Sequence, residues 1–332
     1  NGTGTINGAA LTAINGTAAA VVQAITDLDT DPTNFNSTLT AGAVDATDIT
    51  AIEAANGTGT INGAALTAIN GTAAAVLQAL TDLDTDPTNF DSTLTGTATA
   101  ANLNTLAGAD GTGSINATNI SAITGNYTDL ITSLTDVSIS GLTTQDITAE
   151  DLSITVAQAN LLNAETTGII TATINTETAL QLSELLGTGH KYTITVDAGS
   201  AAATHLITIN AVTTVDVNLT NITQLTGTAA NVSTVYAGNG FRDLGNNIGS
   251  TLSGTATATD ITAIANANGT GTINGSALTA INGTAAAVVQ AITDLDTDPT
   301  NFNSTLSAGA VNATDITAIE AANGTGTING AA

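Results

Sequence analysis

The sequence predicts an α/β solenoid: stacked coils of about 17–20 residues, each with a short parallel strand and a short helix. Three observations lead there. The chain repeats itself, because NGTGTINGAALTAINGTAAAV begins at Asn1, returns at Asn56, and returns with one change at Asn268. A shorter pattern lies inside this long repeat, in which an aliphatic residue is followed by others five and eight positions later. Finally, hydrophobic residues make up 42% of the chain while aromatics make up 2%, so small aliphatic side chains must fill the interior. Such side chains suit thin repeated layers better than one large core.

The five-and-eight pattern sets the elements in order. It starts at Ile6/Leu11/Ile14 and recurs at Val44/Ile49/Ile52, Ile61/Leu66/Ile69, Ala98/Leu103/Leu106 and Ile115/Ile120/Ile123. It continues at Val217/Ile222/Leu225, Ala256/Ile261/Ile264, Ile273/Leu278/Ile281 and Val311/Ile316/Ile319. Each copy reads as a strand residue followed by a helix. Asp45 with Asp48 forms an N-cap and its acidic partner, and Ile49 and Ile52 share one helical face. Asn56-Gly57 closes that helix, and Asn15-Gly16 closes the one before, since both residue types tolerate a left-handed cap. Thr17 caps a second helix from Ala18 to about Thr26, with Val21, Val22 and Ile25 facing inward. Asp31-Pro32 ends it in a loop. Stacking places Ile6, Ile61, Ile115 and Ile273 in one buried column. An all-β parallel solenoid is the alternative, because stretches such as 191–196 and 213–217 are rich in strand formers.

The organisation reads as one continuous solenoid. Residues 1–110 are two tandem copies of the long repeat, 111–156 are degenerate repeats, 157–252 are a diverged segment, and 253–332 return to the repeat. The phrase NGTGTINGAA occurs at both 1–10 and 323–332. Neither reads as a capping coil, so the expectation is a segment of a longer periodic object, continued covalently or head to tail.

Charge narrows the partners. Two Lys/Arg against 28 Asp/Glu give a net charge of -26. Lys191 and Arg242 cannot neutralise a phosphate backbone, so no nucleic acid is expected, and no apolar run approaches the ~20 residues of a membrane span. Without Cys there is no thiol or zinc-thiolate chemistry.

The phrases DITAIEAANGTGTI, LTAINGTAA, ITVAQANLLNAETTGIITATI and ITQLTGTAANV resemble repeat regions of very large cyanobacterial surface proteins. That family includes giant extracellular repeat proteins associated with haemolysin-type calcium-binding modules. The resemblance implies extracellular, structural or adhesive work and no chemistry. The glycine-rich GGxGxDxxx calcium repeat of those modules is absent, so a calcium role must rest on other residues.

The first candidates are the alternating aspartates Asp27, Asp29 and Asp31, repeated as Asp82, Asp84, Asp86 and as Asp294, Asp296, Asp298. Carboxylates spaced this way in a loop can converge on Ca²⁺, which takes six to eight oxygens. The loop is not an EF-hand, since Pro32 stands where the glycine belongs. The competing reading is a polar loop whose aspartates cap and solubilise. Phe35, Phe90 and Phe302 follow each loop at one offset and read as anchors. NGTGTING lacks the dinucleotide spacing and reads as a turn. His190 and His205 have no nucleophile pattern beside them, and Asn-x-Ser/Thr triplets at Asn36, Asn126 and Asn231 follow from the turns.

The functional expectation is a non-enzymatic, extracellular or cell-surface structural protein. It would form a filament, sheath or surface layer (an S-layer) by self-association. A calcium-dependent adhesin stalk is the alternative, and an ice- or lattice-binding face on the exposed threonines is a second. The threonines keep no strict file from coil to coil, which weighs against the latter. An enzyme carried on a solenoid needs clustered basic residues that this chain lacks.

Overall fold

The computed structural model describes residues 4–330; residues 1–3 and 331–332, which carry part of the shared NGTGTINGAA phrase, lie outside them. The fold is mixed α/β, with twelve helices and many short parallel strands among the described residues, and no closed barrel. The helices overturn the all-β alternative. Two compact units emerge: residues 1–152 with 161–171, and residues 153–160 with 172–332.

In the first unit the helices Ala18–Asp27, Ala46–Ala55, Ala73–Asp82, Ala100–Ala109 and Tyr127–Thr135 alternate with strands. Neighbouring strands pair in parallel. Ser37 lies opposite Ile61, Ser92 opposite Ile115, Ile115 opposite Ile139, and Ile123 opposite Ile147, which in turn faces Ile170. A position therefore pairs with the one 23 to 25 further on, not with one 17–20 further on as the pattern suggested. The expected spacing fails because the pattern occurs in two different structures. At Val44/Ile49/Ile52 it is a strand residue followed by the helix Ala46–Ala55, as expected. At Ile61/Leu66/Ile69 it is strand, turn and second strand, since Leu66–Asn70 is extended. Asn15-Gly16 therefore closes no helix; Gly16 meets Leu39 in a parallel bridge.

A bulge reconciles a three-residue apolar spacing with a strand. Gly42 faces Leu66 but Ala43 faces Ala68, so Thr67 is the extra residue. Leu66 and Ile69 both turn inward across it, at 2% and 0% exposure. The same shift falls at Ser121, and in the second unit at Thr223 and Thr279.

The second unit repeats the plan. Gly199–Ala202, Ile222–Gly227, Gly249–Thr257 and Ile273–Asn282 form a four-stranded parallel sheet in chain order. The helix Ala258–Ala267 packs between Ala229–Tyr236 and Ala285–Asp294. Return from strand to parallel strand needs a crossover, which the intervening helices supply.

Two features fix the helices. Thr17, Thr72, Thr99, Thr257 and Thr284 each accept a bond at the side-chain oxygen from the third residue's N–H. Asp45 stands at that position without such a bond. One narrow stripe then faces inward, such as Ala46/Ile49/Ile52 or Ala100/Leu103/Leu106. On the helix after Thr17 that stripe is Ala18 and Val21, while Val22 and Ile25 are only half-buried. Of the expected column, Ile61, Ile115 and Ile273 are buried, while Ile6 is 41% exposed. The expected Asn56-Gly57 closure is present, with Gly57 at φ 67°.

Candidate functional site

The aspartate loops come first. Each follows a helix that ends at its first aspartate, and the three carboxylates then take different partners. Asp27, Asp82 and Asp294 accept bonds from Gln23, Gln78 and Gln290 one helical turn earlier. Asp82 and Asp294 also accept from Thr50 and Thr262 on the neighbouring helix, at 2.8 and 2.7 Å. Asp29, Asp84 and Asp296 clip a strand. Their carboxylates accept from the N–H of Ile6, Ile61 and Ile273 at 2.6–2.7 Å. Their own N–H groups donate to the carbonyls of the same isoleucines. Asp31, Asp86 and Asp298 precede buried prolines, and burial pushes the carboxyls of Asp86 and Asp298 up from the usual range. Among the described residues no three His, Asp or Glu side chains form a group that could hold a metal ion. Three of the nine aspartates thus clip strands, three bond side chains on helices, and Asp31, Asp86 and Asp298 stand ahead of the prolines. Phe35, Phe90 and Phe302 behind them are 1–2% exposed, as anchors should be.

Asparagines extend the same device, which the sequence reading missed. Asn15 accepts from Thr38 N–H, Asn34 from Thr58, Asn36 from Thr60 and Asn70 from Thr93, all at 2.8–2.9 Å. In the second unit Asn282 does so with Thr305 and Asn303 with Thr327. Each bond links positions 23 or 24 apart and satisfies a backbone N–H on a neighbouring segment. At about 1 kcal/mol apiece, such bonds rival the ladder itself in fixing register. The visible signal was the recurrence of Asn at one distance upstream of Thr. Asn36 therefore serves register, and Asn126 caps the helix Tyr127–Thr135.

A buried polar position marks four of the helix ends. Asn56, Asn268 and Asn323 are 0–2% exposed, and each side-chain amide donates to the carbonyl three residues on. Asp110 takes this place once, 1% exposed, with Oδ2 unpartnered. Burial, and then the Asp136 carboxylate, push its pKa up from 3.8; its own backbone N–H opposes this and Asp91 adds to it. A carboxyl with a raised folded pKa stabilises fully below its ordinary pKa and loses that contribution as pH climbs through the folded value. Asp110→Asn restores the amide donor toward Gly113. It should raise stability at pH 7 by about 1–3 kcal/mol and lose that advantage toward pH 3. Denaturant melts of both proteins at the two pH values check this; a variant no more stable at pH 7 contradicts it.

The diverged segment holds the remaining candidates. His190 is 4% exposed, its ring 4.9 Å from that of Tyr192, and burial holds its imidazole below the ordinary value. His205 lies on the helix Ala203–Val212, half-buried. Arg242 pairs with Asp243 at 2.6 Å, and Lys191 is exposed on its strand. Among the described residues no helix is long and apolar enough to cross a membrane. No protein-family model matches the chain, and no curated protein matches it in sequence.

Proposed function

We propose that this protein is an extracellular structural repeat protein, an α/β solenoid whose coils continue end to end into a filament, sheath or surface layer. One observation carries this reading: the same repeat residues are buried in one place and bare in another. Leu66 and Ile61 are 2% and 0% exposed, while their repeat equivalents Leu11 and Ile6 are 42% and 41% exposed. Val44 is 8% exposed and its equivalent Val311 is 47% exposed. In the first unit the strand 42–45 seats directly on 66–70, Val44 opposite Ile69. Residues 309–322 repeat 42–55 with Asn for Asp at one position, and residues 11–15 are identical to 66–70. The face at 309–322 is therefore a copy of one that accepts the 11–15 sequence. A like repeat laid on it would bury Val311 against Ile14. The contact is heterologous and propagates rather than closes.

The test is sedimentation and electron microscopy of this chain across protein and salt concentration. The expected result is end-to-end association that grows with salt, because a charge of -26 repels itself. Val311→Asp is expected to abolish it while leaving the fold intact, since Val311 is exposed. A chain that stays monomeric at millimolar concentration and high salt, with or without that substitution, would overturn the proposal.

A further inference from the structure

Among the described residues, eight buried side-chain oxygens have no hydrogen-bond partner, and six of them fall into three equivalent pairs. The pairs are Ser37 with Asn56, Ser92 with Asp110, and Ser304 with Asn323, all 0–1% exposed. Within each pair the chain folds the same way. Phe35 N–H donates to the Asn56 carbonyl and Ser37 N–H to the Thr60 carbonyl, so segment 35–37 lies along the turn 56–60. Phe90 with Asp110, Ser92 with Ser114, Phe302 with Asn323 and Ser304 with Thr327 repeat those bonds.

A fourth copy shows what belongs there. Ser250 N–H donates to the Thr272 carbonyl in the same manner. Its hydroxyl, however, meets the Tyr236 hydroxyl at 3.2 Å, and Tyr236 donates to the Ile248 carbonyl at 3.0 Å. Tyr236 is the eighth residue after its helix cap, Thr228. Ile25, Leu80 and Ile292 hold that place after Thr17, Thr72 and Thr284. None of those three carries a hydroxyl.

We infer that each of the three pairs binds one internal water molecule, in the role that the Tyr236 hydroxyl plays in the fourth copy. The chemistry fits water closely. The serine hydroxyl donates to it. The water donates one proton to the Asn56 or Asn323 amide oxygen, or to the Asp110 carboxylate. Its second proton goes to a backbone carbonyl, Phe35 in the first copy, as Tyr236 serves Ile248. Three hydrogen bonds are typical of a buried water, and three such waters lie well within the usual frequency of about one per 27 residues.

A crystal structure of the full chain at better than about 1.5 Å tests this directly. One ordered water is expected within hydrogen-bond distance of each of Ser37, Ser92 and Ser304, and none between Ser250 and Tyr236. Serine hydroxyls bonded straight to the amides, without water, would overturn the inference. In solution, water-oxygen magnetic relaxation dispersion counts long-lived internal waters. Leu80→Tyr is expected to lower that count by one, and an unchanged count in the folded variant counts against the inference. If Leu80→Tyr does not fold, Ser92→Val removes the hydroxyl donor and is expected to lower the count in the same way.

Discussion

Ile123→Asp is expected to unfold the sheet that holds it. Ile123 is fully buried and lies opposite both Ala98 and Ile147, with Ile170 next beyond Ile147. These neighbours are 0–5% exposed, so the position has no route to water. Truncating a buried isoleucine costs about 2–5 kcal/mol. Leaving a buried carboxyl without a partner adds about 1–3 kcal/mol even when it takes up a proton. The sum approaches the whole stability of an ordinary domain, about 5–15 kcal/mol. Ile123→Val, by contrast, should cost about 1 kcal/mol. Hydrogen exchange separates the outcomes. In the aspartate variant the amides of 115–125 and 146–149 should lose protection, while the valine variant should keep it. An aspartate variant as protected as the wild type would mean that Ile123 is not in a closed column.

That column was legible in outline before the structure. Ile123 stood in the five-and-eight pattern, and so did Ile49, Leu103 and Ile261, all of them buried. The Thr17 cap, the Pro32 stop and the Phe anchors were also readable, because each rests on local chemistry that one short segment carries. Two things were not readable. A three-residue apolar spacing describes one face of a helix, and it equally describes a strand with a bulge between the two residues. Ile49/Ile52 took the first form and Leu66/Ile69 the second. Nothing inside the five-and-eight pattern distinguishes them; the partner strand does, and for Leu66 that partner begins as far back as Gly42. The second was the set of partners that the aspartates of each loop take. Alternating carboxylates suggest a cation only if their side chains converge. Asp84 instead meets the N–H of Ile61 on a distant strand, and Asp82 meets Thr50 on another helix. Both partners are non-local, as are those of Asn36 and Asn70. The loop's sequence records that oxygens are needed, and the neighbouring repeat decides what they bind.

Two glycine-to-alanine substitutions at nearby positions are expected to act in opposite directions. Gly108 lies exposed near the end of the helix Ala100–Ala109, and an added methyl would meet nothing within 4 Å. Alanine there restricts the unfolded chain and suits the helix, so Gly108→Ala should stabilise by roughly 0.5–1 kcal/mol. Gly113 ends the turn after the same helix. A methyl on it would fall 1.8 Å from the Phe90 carbonyl oxygen and 2.5 Å from the Phe90 carbonyl carbon. Both are backbone atoms in the segment that leads into the strand Ser92–Thr99, so no side-chain rotation relieves the overlap. The chain must part there. Parting would strain the bond from Phe90 N–H to Asp110 and the one from Ser92 N–H to Ser114. Two buried backbone bonds left unmade, at about 1–3 kcal/mol each, put Gly113→Ala at several kcal/mol of destabilisation. The repeat makes the same demand at Gly59 and Gly326, where a methyl would fall 1.7 Å from the Phe35 and Phe302 carbonyl oxygens. The second glycine of the NGTG phrase is thus required by close approach of two segments, while Gly57, Gly111 and Gly324 take the left-handed turn. Thermal melts of the two single variants under one buffer decide the matter. Gly108→Ala should melt slightly above the wild type and Gly113→Ala well below it. Equal melting temperatures would show that segments 90–92 and 110–114 are not held in contact.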